Sequence, residues 1–74
     1  MKKTEVMTIL ADALKCSATP SDLSRKIGIT SQAISLWPEN LNATHLRNIA
    51  GWMVHAGRRI PAEIVAAMRG EKQN

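Results

Sequence analysis

Apolar residues recur at helical spacing along most of this 74-residue chain, and no segment alternates with a period of two. Val6, Ile9, Leu10, Ala13 and Leu14 share one face of a first amphipathic helix over about residues 4–15. Leu23 and Ile27, four residues apart, line a second, shorter helix. Thr19 reads as its N-cap, Pro20 as a favourable first residue and Asp22 as the acidic third position of a capping box. Gly28 ends this helix, because glycine enters the left-handed region without Cβ strain, and Ile29 is the apolar residue of the turn. Thr30 caps a third helix whose inward positions are Ile34 and Trp37, and Pro38 stops it soon after Trp37. Glu39-Asn40-Leu41-Asn42 then reads as a loop. Leu46, Ile49, Ala50 and Met53 give a fourth helix over about residues 43–56, terminated by Gly57. Ile60-Pro61-Ala62-Glu63 opens a fifth with proline at its first position, and Ile64, Val65 and Met68 form its apolar face. Gly70 ends that helix and leaves a frayed, disordered tail over 70–74. The pattern predicts an all-α, five-helix bundle in one domain, with no sheet, repeat or linker.

Residues 20–39 carry the most information. Two short helices joined by a three- to four-residue turn containing glycine form a helix-turn-helix, the unit that lays its second helix in a DNA major groove. Ser24, between Leu23 and Ile27, is small enough for the second helix to cross it closely. Ser31, Gln32, Ser35 and Leu36 face away from the Ile34/Trp37 stripe, and no charged residue falls between Gly28 and Glu39. An ordinary solvated helix carries charge on that face. Hydroxyls and an amide suit base edges instead: Gln pairs with adenine in a bidentate way, Ser with several bases, and Leu36 suits a thymine methyl. The competing reading is a plain polar helix on a small bundle, against which the specific flanking turn weighs.

Composition adds to this without deciding it. Ten Lys+Arg against six Asp+Glu give a net charge of +4 and a pI near 9.9, the sign a polyanion partner requires, although many small basic proteins bind no nucleic acid. The single cysteine, Cys16, rules out an intrachain disulfide and fits a reducing compartment. Met1-Lys2-Lys3 resembles a signal-peptide start, but Glu5 and Asp12 interrupt the apolar run that secretion needs. No stretch reaches the roughly 20 apolar residues of a membrane span, so the expected location is cytoplasmic.

Residues 20–39 resemble the helix-turn-helix of phage Cro and repressor proteins, the lambda-repressor-like family. The likeness lies in Leu23-Ser24, Ile27-Gly28-Ile29 and Gln32-Ala33-Ile34-Ser35-Leu36-Trp37. Ala-Ile-Ser-x-Trp is similar to the recognition helix of small helical Cro proteins and of YdaS-type prophage regulators. The resemblance implies a bundle of about five helices that binds a palindromic operator as a dimer. It also implies that Ser31, Gln32, Ser35 and Leu36, together with the cap residue Thr30, read bases.

The remaining polar residues divide by position. Arg25 and Lys26 lie on the helix that crosses the DNA backbone in this docking geometry and are the leading phosphate contacts. Arg58 and Arg59, after the fourth helix, are the next candidates, and Lys2 and Lys3 form a possible N-terminal arm. Cys16 lacks a His or Asp partner for nucleophilic work, and His45 and His55, ten apart, match no metal spacing. Catalysis, a metal, a cofactor and a small-molecule ligand are therefore not expected. Met7, Met53 and Met68 read as core fillers, and Trp37 as part of the core. Trp52 falls just off its helix's apolar stripe, which leaves core and dimer interface both open. Trp52, Ile64 and Met68 are the expected dimer contacts. The main functional expectation is a Cro-like phage or prophage repressor acting as a dimer on a double-stranded DNA operator. The alternative is an antitoxin or regulatory module whose main partner is another protein.

Overall fold

The computed structural model describes residues 1–70, which form five helices and no strand. They are α1 (Lys3–Leu14), α2 (Pro20–Ile27), α3 (Ser31–Ser35), α4 (Ala43–His55) and α5 (Ala62–Gly70). The all-α, five-helix expectation holds. Gly70, expected to begin the tail over 70–74, is the last residue of α5, and the rest of that expectation, 71–74, lies outside the described residues.

Capping chemistry sets most helix ends. The Glu5 carboxylate accepts from the Lys2 amide at 3.1 Å and opens α1 one residue earlier than expected. α1 closes where Lys15 turns left-handed, at φ 57, so Lys15 lies beyond the helix. The Lys15 and Cys16 amides both return to the Ala11 carbonyl there. Thr19 Oγ1 caps α2 by accepting from the Asp22 amide at 3.3 Å. The Asp22 side chain does not complete the expected box. It lies 3.5 Å from Arg25 instead. Asn42 caps α4 by accepting from the His45 amide at 3.0 Å, a cap the loop-like sequence around it conceals. At the other end of α4, Gly57 takes φ 75 while the Gly57 and Arg58 amides bond the Val54 and Met53 carbonyls. Pro61 sits just before α5 rather than as its first residue, and its carbonyl accepts from Ile64 and Val65.

Every helix contributes to one apolar core, and no buried polar side chain interrupts it among the described residues. Val6, Leu10, Leu23, Ile34, Leu46, Ile49, Met53 and Ile64 are essentially inaccessible to solvent. On α1 the buried stripe centres on Leu10 and Leu14 and leans toward Ala11, leaving Ala13 exposed and Ile9 half-buried. Leu41 is equally buried, although it lies in the segment expected to be loop. The reason is a contact distant in sequence. The Leu41 amide donates to the Met1 carbonyl at 2.7 Å, the Met1 nitrogen to the Leu41 carbonyl at 3.0 Å, and the Lys3 amide to the Glu39 carbonyl at 2.8 Å. This short antiparallel pairing of residues 1–3 with 39–41 holds Leu41 over the core. It remains an isolated pairing and builds no sheet.

Candidate nucleic-acid interface

α2 and α3 pack against each other more extensively than any other helix pair, across a turn that comprises residues 28–30. The turn forms as its sequence requires. Gly28 is left-handed at φ 90, and its amide closes on the Ser24 carbonyl at 2.8 Å. Ser24 is half-buried, with its hydroxyl donating back to the Ser21 carbonyl. Ile29 packs on the core, and Thr30, in extended conformation, accepts the Ala33 amide on Oγ1 at 3.1 Å. Thr30 is thus primarily the cap of α3. Its hydroxyl proton is the part left for a ligand.

α3 is five residues long and ends at Ser35, short of the expected Trp37. Pro38 excludes Trp37 from helical backbone, and the chain closes with a tighter bond from the Trp37 amide to the Ile34 carbonyl at 3.1 Å. Ile34 is fully buried and Trp37 half-buried against the core, so the two inward positions anchor the helix as the spacing predicts. Ser31, Gln32, Ser35 and Leu36 all face solvent, and Leu36 is 75% exposed. No charged side chain belongs to α3 itself.

The clustered cations lie off this helix. Arg25 and Lys26, in the last turn of α2, line a surface hollow of about 460 Å³ with Cys16, Asp22 and Arg58. Residues far apart in sequence thus present three positive charges and one negative charge together. The only ion pair among the described residues is Arg25 with Asp22, three apart on α2 and solvent-exposed, an arrangement worth little. Arg59 is exposed but does not line the hollow. Lys3 is not a free arm. Its Nζ donates to the Ser35 carbonyl at 2.9 Å, at the C-terminal end of α3.

One expected contact of the dimer surface is corrected. Ile64 has no exposed surface because it fills the core beneath α5, and nothing of its side chain is left for a second copy. Trp52 and Met68 are half-buried, each packing on the core while keeping some surface outward. Val54, on α4, is 60% exposed. His45 is occupied at the start of α4, where Nδ1 lies 2.8 Å from Asn42 Oδ1. Among the described residues no group of His, Cys, Asp or Glu is placed to hold a metal ion. No helix there is long and apolar enough to cross a membrane. Comparison with known protein families, with curated proteins and with solved structures finds no match to this chain.

Proposed function

We propose that this chain is a sequence-specific DNA-binding transcriptional regulator, a Cro-like repressor of phage or prophage type that uses α2–turn–α3 as a helix-turn-helix. One observation carries the reading. α3 offers an exposed face of Ser31, Gln32, Ser35 and Leu36 with no charge on it, while its opposite side is locked into the core by Ile34. Such a face matches the donors, acceptors and methyl groups of a major groove. Arg25, Lys26 and Arg58 supply the phosphate attraction, and catalysis has no part in the mechanism. Gln32 and its neighbours choose the site, cations hold the backbone, and occupancy excludes polymerase. One such helix reads only a few base pairs, so the reading includes a symmetric dimer on a palindrome. Trp52, Val54 and Met68 are the surface residues proposed to join the copies.

Selection of bound duplexes from a random pool tests this directly. Enrichment of a palindrome with half-sites about one helical turn apart is the expected result. Recovery of no preferred sequence overturns it. The exposure of Val54 on α4 also supports a second reading, an antitoxin-like module that docks another protein through α4 and α5. Co-purification of one defined partner, with no DNA preference, favours that reading instead.

A further inference from the structure

Lys3 stands at the first residue of α1, yet its ammonium reaches the far side of the candidate interface and donates to the Ser35 carbonyl at 2.9 Å. That carbonyl belongs to the last turn of α3, where helix carbonyls have no partner within their own helix. A cation there satisfies the acceptor and opposes the negative end of the helix dipole. The contact matters more for α3 than it would for a long helix. Five residues make little more than one turn, and a helix that short does not hold its shape without outside support. Thr30 supports the N-terminal end and Ile34 the inner side; Lys3 supports the exit. Its backbone is itself fixed, since the Lys3 amide donates to Glu39 and the Met1 carbonyl accepts from Leu41. Residues 1–3 therefore clasp the chain on both sides of Pro38: Ser35 before it, and Glu39 to Leu41 after it.

We propose that Lys3 is a positioning residue that closes the C-terminal end of α3 and sets the pose in which Ser35 and Leu36 are presented. It is not a phosphate-binding arm. Its consequence for base choice rests on the DNA-binding reading above; its effect on α3 does not.

Two variants and two measurements separate the possibilities. Lys3→Met keeps the aliphatic stem and removes the donor, whereas Lys3→Arg keeps a donor on a stem of similar length. Amide hydrogen exchange on the free protein is the first measurement. In Lys3→Met, the Leu36 and Trp37 amides should exchange about two- to tenfold faster, the span set by loss of one hydrogen bond. The Leu10 and Leu14 amides of α1 should stay unchanged, and Lys3→Arg should restore protection. Unchanged exchange at Leu36 and Trp37 in Lys3→Met overturns the proposal, as does equal acceleration throughout α1. The second measurement is salt-dependent binding to a selected duplex and to a scrambled one. A positioning role lowers the preference for the selected duplex and leaves the salt slope as it was, whereas a lost phosphate contact lowers the slope by about one. A lower slope with an unaltered preference overturns the proposal. If the unaltered protein binds no duplex selectively, the functional reading fails and the exchange result alone decides the role of Lys3.

Discussion

Gln32 is the second residue of α3, exposed, uncharged and outside the Ile34/Trp37 side that faces the core. Replacing it with Ala should leave the fold intact and relax base preference at one position per half-site. Discrimination should fall by about 1–3 kcal/mol, measured as the affinity ratio between the selected duplex and its single-base variants. An unchanged ratio removes Gln32 from the base-reading set. Arg25→Ala, Lys26→Ala and Arg58→Ala should behave differently, weakening all duplexes alike and lowering the salt slope by about one each. Arg59→Ala should have the smallest effect of the four, because Arg59 stands outside the hollow the others line. Local pattern made the outward residues of α3 legible, since sidedness on a short helix follows from spacing alone. It did not reveal the role of Lys3. A lysine near a chain start looks the same whether it floats in solvent or reaches a carbonyl 32 residues away.

Turn chemistry governs the α2–α3 pair. Gly28 holds φ 90, and a Cβ built there meets nothing within 4 Å, so backbone strain alone opposes substitution. Gly28→Ala should therefore cost about 1–2 kcal/mol, read as a lower denaturation midpoint with an unchanged slope. A loss beyond about 3 kcal/mol would mean that the turn itself rearranges. The ends marked by Thr19, Gly28, Thr30 and Gly57 were readable because each uses bonds to residues within five positions. The early end of α3 was half-readable: Pro38 announced a stop, but its restriction on Trp37 brings the stop forward. Leu41 was not readable. Its burial depends on pairing with residues 1–3, and no local period records a partner so distant. The left-handed Lys15 was equally hidden, since a residue with a Cβ gives no sign of taking a glycine conformation.

At the scale of the whole molecule, Ile64 and Val54 separate folding from assembly. Ile64→Ala opens a cavity in a core with few residues to spare and should cost about 2–5 kcal/mol, enough to unfold much of a domain this small. Val54→Ser alters an exposed position and should move stability by no more than about 0.5 kcal/mol. Sedimentation across micromolar concentrations, with and without operator, should show Val54→Ser to be impaired in dimer formation. Dimerisation indistinguishable from the unaltered chain would place the proposed interface elsewhere. The packing also divides the bundle into two sequence-local pairs, α2 with α3 and α4 with α5, and α1 packs on α2 and α5 and reaches α3 through Lys3. α1 then works as the spacer of a caliper. If copies join through α4 and α5 and read DNA through α3, the gap between reading heads is transmitted through the seat of α1. Trimming the half-buried Ile9 of α1 to Val, a one-methylene cut against the core that costs only about 0.5–1.5 kcal/mol, would loosen that seat without unfolding the domain. The expected signature is tolerance of operators whose half-sites stand a base pair nearer or farther apart.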